Sequence, residues 1–569
     1  MTAGGIMIGA DVIVEAFLAH QVERLYVYPG GTIAPILDSA KRQGVEVFCG
    51  RHEQGAGYAA LAAARLTHVP QVVMVTSGPG VTNVVTTVAD AYYDSTPLVV
   101  ITGQVATGDL GTGLAVRQRG FQQVDTTALL KPITKAQYLV ESSDSLAEVV
   151  SQAFREAGDG RPGPVVVDLP MDVQRGEVKR GGVAAASERA SSPPPDAAQI
   201  DRLVDWLFLA QRPMIIAGQG VLLAHAHQAL RNLVELTGIP VSHSLLGLGA
   251  LSGDSPLSLG FHGHTGNQYA GKAIHHADVL IAVGSRLDVR QTGNKVDAFV
   301  PEGRVVRIDV DIAELEHSRV HCELAIRADC RTVLDELLNR LRGKNMPDWS
   351  AWRRQIGQWR EQYPLDYPQA GALKPQRVVE TVDRLTRERD VVCVSGVGAH
   401  QHWVARHFQF DYPRRRWLTS GGHGAMGYDL PSAVGAQLQL PDAMVVCFVG
   451  DGSLQINIQE LAAVAEYDLP VKLIVLDNHR LGIVSQFQQF NWHDDPTTGN
   501  KWNPDFAALA RAYGIAGYTV STDDDVEQVL TKALAHSGPA LVHCVVDDRE
   551  DISPMLLAGQ TLDQMWYRE

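Results

Sequence analysis

Two oxygen-bearing side chains, each closing a short apolar run, are the residues whose types and spacing point most directly to chemistry. They lie in GDGSLQINIQELAAVAEYDLPVKLIVLDN (450–478). One apolar run ends in Gly450-Asp451-Gly452, a helical stretch follows, and the next run ends in Asp477-Asn478. Two strand ends separated by one helix can be neighbours in a parallel sheet. Asp451 and Asn478 would then turn their oxygens toward one ion. Mg²⁺ takes an octahedral oxygen shell and usually shares it with phosphates. A helix beginning near Ser453 would offer its first amides to such a phosphate. A lone GDG is more often a tight turn at a strand end. Its coupling to Asn478, with a strand on each side, favours a Mg–diphosphate cradle.

The elements that must position this cradle recur along the chain. Apolar runs rich in Val and Ile each end in Gly, Asp or Asn: PQVVMVTSGPG (70–80), PLVVITGQV (97–105), PMIIAGQG (213–220), DVLIAVGSRLD (278–288), RVVRIDVD (304–311), DVVCVSGVG (390–398) and AMVVCFVGDG (443–452). Runs apolar throughout suit strands covered on both faces. Between them lie Ala- and Leu-rich stretches of helical spacing, such as GAGYAALAAARL (55–66). The alternation predicts an α/β protein of doubly wound parallel sheets, with ligands at the carboxyl ends of strands. An Ala/Ser/Pro-rich stretch (179–199) reads as an exposed linker, and a second break falls near 343–375. Three domains follow, at 1–180, 198–342 and 376–569.

Composition excludes several classes. The 569 residues are 45% hydrophobic and 20% charged, as in an ordinary globular enzyme. The net charge of −15 leaves a nucleic-acid partner without an electrostatic footprint. The six cysteines form no CxxC and read as buried small hydrophobes. No signal peptide or membrane span is visible, so a cytoplasmic protein is the default expectation. His52-Glu53 is no zinc motif, because HEQGA lacks the second His of HExxH. Gly422, Gly424 and Gly427 form a GxGxxG, yet no clear acidic residue closes a ribose site at the expected distance.

Further stretches extend the pattern: YPGG (28–31), RHEQGAGYAA (51–60), TSGPGVTNVVT (76–86), DSTPLVVITGQV (94–105), FQQVD (121–125), PITKAQYLV (132–140), SLLGLGAL (244–251), GSRLDVRQTGN (284–294), SGGHGAMGYDLPSAVGAQ (420–437) and LAGQTLDQM (557–565). With the 450–478 segment, they resemble the thiamine-diphosphate (ThDP)-dependent enzymes over nearly the whole chain. The likeness is strongest to the acetohydroxyacid synthase (acetolactate synthase) catalytic subunit.

That resemblance implies pyrimidine, central and diphosphate domains, and a role for each matching residue. Glu53 would hydrogen-bond the cofactor's aminopyrimidine, and Gln122 would sit near the reacting carbon. Met426 would wedge the cofactor into its bent shape, with backbone near Gly424 gripping the pyrimidine. Asp451, Asn478 and the Arg480 carbonyl would hold Mg²⁺. Gly30 and Gly31 fall in a cofactor-side loop, and Gly398, His400, Gln401, Gly450, Gly452 and Ser453 lie along the diphosphate. Arg286, Arg290, Asp309 and Asp329 match positions that hold FAD, a structural group in this family that some relatives lack.

The chain also departs from the family. It carries Met171, Val289 and Phe487 where those synthases have Lys, Asp and Trp, and Ala399 where Gln is common. His423 replaces a usual Leu beside the cofactor, where an imidazole could shuttle protons. The implied activity is a carboligase that decarboxylates pyruvate and joins the fragment to a second 2-oxoacid or aldehyde. The alternative is a specialised decarboxylase, aldehyde lyase or C–C hydrolase. Glu53 and Asp451 fall in different domains, and in the family such sites form between subunits. A homodimer or homotetramer is therefore expected, and a separate regulatory subunit is left open.

Overall fold

The computed structural model describes residues 7–111, 113–178, 193–492, 498–499 and 502–568. It contains three six-stranded sheets, all of whose pairings are parallel. The first comprises β1 (Arg24–Val27), β2 (Glu46–Cys49), β3 (Gln71–Val75), β4 (Leu98–Gln104), β5 (Ala136–Leu139) and β6 (Pro164–Pro170). The second comprises β7 (Pro213–Ala217), β8 (Val241–His243), β9 (Ser258–Phe261), β10 (Val279–Val283), β11 (Arg304–Asp309) and β12 (Leu324–Arg327). The third comprises β13 (Val391–Ser395), β14 (Arg415–Leu418), β15 (Met444–Gly450), β16 (Lys472–Asp477), β17 (Ala516–Val520) and β18 (Ala540–Val545). Strands such as LVVITGQ and PVVVDLP are buried along their whole length, as helices on both faces of a sheet require.

The outer sheets share one topology. The first runs β2-β1-β3-β4-β6-β5 and the third β14-β13-β15-β16-β18-β17, the same order in each. The middle sheet runs β12-β11-β10-β7-β8-β9, the doubly wound order of dinucleotide-binding folds. Its topological switch point lies between β7 and β10.

One continuous apolar core joins the outer sheets, built around the helix Glu53–Thr67 packed on the helix Asp429–Gln439. Both helices are rich in Ala and Gly, which lets their backbones approach closely. A Cβ on Gly435 would lie 2.1 Å from the Ala59 carbonyl oxygen, so only glycine fits there. The middle sheet has its own core, to which Leu556, Leu562 and Met565 of the C-terminal segment contribute.

The chain around 343–375 is not a bare connector. It carries the helix Ser350–Gln362, and Trp349 and Trp352 donate indole hydrogens to the Ala210 and Pro213 carbonyls. Burying two indoles against the middle core outweighs the Pro- and Gly-rich flanks. Most of the other Ala/Ser/Pro-rich stretch, 179–192, lies outside the described residues; from Ala197 it is helical. Cys330, Cys393, Cys447 and Cys544 are buried as expected, whereas Cys49 and Cys322 are half-buried.

A buried ion pair ties all three units together. The Arg65 guanidinium donates to Asp94 at 2.6 Å and also reaches Asp90 and the Thr419 carbonyl. The Asp94 carboxylate accepts from the Gly421 and Gly422 amides at 2.8 and 2.6 Å. Its carbonyl accepts from Gln219 in the middle unit. Burial, then the like charge of Asp94, pushes the Asp90 carboxyl well above the usual range.

Asp94→Ala removes the acceptor of two loop amides and strands a buried guanidinium, and should cost roughly 3–5 kcal/mol in urea unfolding; a loss below about 1 kcal/mol would show that the clamp contributes little. Glu460, buried where the outer units meet, accepts from the Arg51 amide, and burial raises its carboxyl to about 7. In the unfolded chain this group ionises near 4.5, so it withdraws stability as pH rises from about 4.5 to 7. The melting temperature of Glu460→Gln minus that of the parent should therefore grow across this window. A flat difference would refute the assignment.

Candidate active site

β15 and β16 are adjacent, with Gly450 paired to Leu476, so Asp451 and Asn478 do emerge side by side at two neighbouring carboxyl ends. Asp451 is 2% and Asn478 4% exposed. Asp477 is buried beside them and accepts from His543 at 2.8 Å. Burial raises the Asp477 carboxyl, but the His543 bond and the His479 amide outweigh it, and its pKa is lowered overall. The Asn503 amide nitrogen donates to both Asp451 and Asp477 at 2.8 Å. An amide held between two carboxylates stands where a cation's positive charge is called for. The donor set is all oxygen, which suits a hard cation. The Asn478 side-chain oxygen accepts from the Arg480 amide at 3.4 Å, and the Arg480 guanidinium is anchored on Asp551.

The helix after Gly450 begins at Asp451 rather than near Ser453, and ends after six residues at Ile456. The Asn457 side chain breaks it by donating to the Gly427 carbonyl at 2.7 Å. Ser453 donates to the buried Asp429 at 2.7 Å and accepts from the Gly427 amide at 2.9 Å. These bonds draw the 420–428 loop against the Asp451 turn. Gly427 has φ +78, and a Cβ there would meet Ile456 at 2.6 Å. His400 packs against the same turn: a Cβ on Gly450 would lie 2.9 Å from its Nδ1. The His400 Nε2 is buried without a hydrogen-bond partner, 3.6 Å from Asp429, as a side chain awaiting an acceptor would be. Gln401 instead donates to Thr419 and to the Ser420 carbonyl, bracing the loop.

At the tip of that loop Met426 is half-buried, Gly424 takes φ +70, and His423 is exposed. The His423 ring stacks on Tyr93 with centroids 5.7 Å apart. Glu53 opens the Glu53–Thr67 helix and is 5% exposed. The Asn83 amide donates to its Oε2 at 3.0 Å. Among the described residues no hydrogen bond or ion pair joins Glu53 to the Asp451–Asn478 end. Gln122, with φ 63, presses its backbone against Gly78, and the preceding Phe121 is 85% exposed. Gly30 lies against Thr76, where a Cβ would clash, and the exposed Gly31 starts a short turn that ends at the buried Ile33.

A cavity of about 490 Å³ opens at the switch point of the middle sheet. It is lined by Gly220, Gly284, Arg286, Arg290, Asp309 and Asp329, and it reaches Gly422 and Gly424. Burial raises the Asp309 carboxyl, while Asp329 caps a helix through the Arg331 amide. Arg286 lies 3.6 Å from Asp288. His262 and His264 also line it; burial pushes both down to about 4, so they are neutral donors or acceptors there. A second cavity, of about 240 Å³, shares His264 and Arg290 and adds Val289, Phe487 and the segment Met555–Gln560. Met171 starts a short helix after β6.

Thus the structure brings Asp451, Asn478, Ser453, His400 and the 424–427 loop together, while Glu53 stands on the first unit with Asn83 as its hydrogen-bond partner and Gln122 packs against Gly78. Sequence reasoning missed Asn503, Asp94, Asp429 and the buried histidines. Asp94 opens the quoted DSTP stretch, but nothing in its neighbours reveals that it holds two amides more than 300 positions away.

Three family models match: the thiamine pyrophosphate enzyme N-terminal TPP binding domain over 7–129, the central domain over 200–337, and the C-terminal TPP binding domain over 396–544. The acetolactate synthase isozyme 3 and isozyme 2 large subunits of Escherichia coli are 38% and 39% identical to this chain, each alignment covering 98% of it and 98% and 99% of the relative. The acetolactate synthase large subunit of Parasynechococcus marenigrum is 38% identical over 98% of this chain and 90% of its own. With this likeness over the full length, and with three parallel α/β units holding an oxygen-lined turn, the chain belongs to the thiamine-diphosphate-dependent carboligases of the acetolactate synthase large-subunit family.

Proposed function

We propose that this protein decarboxylates pyruvate and joins the two-carbon fragment to a second 2-oxoacid or an aldehyde, with Mg²⁺ as the metal. The observation that carries the reading is the buried oxygen set of Asp451 and Asn478 at adjacent strand ends, beside the unpartnered His400 Nε2. When bound, ThDP supplies an electron sink for breaking the bond next to a carbonyl. Asp451, Asn478 and the Arg480 carbonyl hold Mg²⁺. Gly398, His400, Gln401, Gly450, Gly452 and Ser453 surround the diphosphate. Gly424 and Met426 support the pyrimidine, and Gly30 and Gly31 give it room. Glu53 holds the proton at the pyrimidine nitrogen, and Asn83 fixes the orientation of that carboxylate through Oε2. Gln122 positions the substrate carbonyl. His423, exposed and stacked on Tyr93, moves a proton at the mouth of the site.

The cavity at the switch point supports FAD in the middle domain, held by Arg286, Arg290, Asp309 and Asp329. The neutral His262 and His264, each with an unpartnered buried ring nitrogen, suit the polar edge of such a group. The domains divide at 1–180, 198–342 and 376–569, one parallel sheet in each. Glu53 and Asp451 fall in different domains, and no hydrogen bond or ion pair among the described residues joins them, which supports a site completed by a second copy, as a homodimer or homotetramer. The exposure of Phe121, Leu114 and Val116 beside Gln122 supports the same reading. The relatives are named large subunits, which supports a small regulatory partner for this chain as well.

Purified protein given ThDP, Mg²⁺, FAD and pyruvate should form acetolactate, followed by proton NMR. Acetaldehyde as the sole product would overturn the carboligase assignment. Glu53→Gln should lower kcat by about 10²–10⁴-fold while ThDP still binds. Full activity in that variant would remove Glu53 from its role.

A further inference from the structure

We propose that His275, His276 and Asp563 form a binding site for a late first-row divalent cation of the Zn²⁺ class, which staples the C-terminal segment to the middle unit. One ligand atom of each lies within 4.8 Å of the others. Zn²⁺ bonds of about 2.0–2.1 Å set tetrahedral ligands roughly 3.4 Å apart, so a small contraction closes the site.

The surroundings prepare the ligands. The His275 Nδ1 lies 2.8 Å from the Ala298 carbonyl, which can only accept, so Nδ1 carries the hydrogen. Nε2 is left with its lone pair, 3.7 Å from Asp563 Oδ1. This is the outer bond that orients metal-bound imidazoles. The exposed His276 ring stacks on Trp359 with centroids 5.4 Å apart, and its carbonyl accepts from Arg212. The Thr561 hydroxyl donates to Asp563 Oδ1 and leaves that carboxylate further lone pairs. Of the nearby cations, Lys272 donates to the Asp563 main-chain carbonyl and faces the Tyr363 ring, and Arg212 is held by the His276 carbonyl. Two imidazoles and one carboxylate select against Mg²⁺, so this site differs in chemistry from the all-oxygen turn at Asp451.

The position gives the ion something to do. His275 and His276 end a helix of the middle unit, and Asp563 lies on the segment whose Leu556 amide donates to the His264 carbonyl. Residues Met555–Gln560 of that segment line the smaller cavity. A metal at Asp563 would hold this wall in place.

The test uses the full chain, freed of metal and kept in excess Mg²⁺ so that the oxygen turn is satisfied. Co²⁺ alone is titrated and its visible d–d absorption followed. One saturable equivalent, displaced by Zn²⁺, is expected. His276→Ala, at an exposed position, and Asp563→Asn should each weaken it by about tenfold or more. Hydrogen exchange of residues 555–568 should slow with Zn²⁺ in the parent and not in His276→Ala. Absence of saturable binding, or unchanged affinity in either variant, overturns the site. Exchange that Zn²⁺ leaves unchanged overturns the staple.

Discussion

The Arg65–Asp94 pair is the interaction on which the rest of the structure depends. Both side chains are buried, and a charge buried alone costs several kcal/mol, so each must find its partner for the chain to fold. Asp94 then has oxygen capacity to spare, and it is filled by the Gly421 and Gly422 amides. The loop that carries His423, Gly424 and Met426 is thereby registered against the first unit before any ligand arrives. The same aspartate's carbonyl fixes Gln219 at the rim of the larger cavity. The charge pair thus registers the two outer units, and the main chain of the same aspartate reaches the middle one.

Around this anchor the architecture repeats. The outer units have one topology, and they meet through two small-residue helices whose backbones nearly touch at Ala59 and Gly435. That contact is dry and tightly packed, which makes the pair of outer units rigid. The middle unit reverses its strand order at β7 and β10 and opens its cavity there, where diverging loops cannot fill the crevice. Rigid outer units and a creviced middle one divide the labour. The outer pair holds the oxygen-lined turn of Asp451 and Asn478, and the middle unit holds the larger cavity.

Much of this was legible in the residues. The uninterrupted apolar runs announced buried parallel strands, because only a sheet covered on both faces can use such sequences. The Gly450–Asn478 segment revealed its strand neighbours, since a single intervening helix leaves few alternatives. The helix boundary after Gly450 was less legible: Asn457, which breaks it, does so by bonding to Gly427 from another segment. The stretch around 343–375 read as a break from its prolines and glycines, yet Trp349 and Trp352 bury themselves in the middle core. Local composition describes what a segment prefers alone, and burial against a distant partner overrides it.

The sequence by itself determined the α/β class, the adjacent strand ends that carry Asp451 and Asn478, and the family, because those depend on residue types at short, fixed spacing. Only the tertiary structure decided that Asn503 bridges Asp451 and Asp477, that Asp94 holds the 421–422 amides, and that His262 and His264 line one cavity. These facts depend on which far-apart segments meet, and the free energy that brings them together is collective packing, which no single stretch of residues carries.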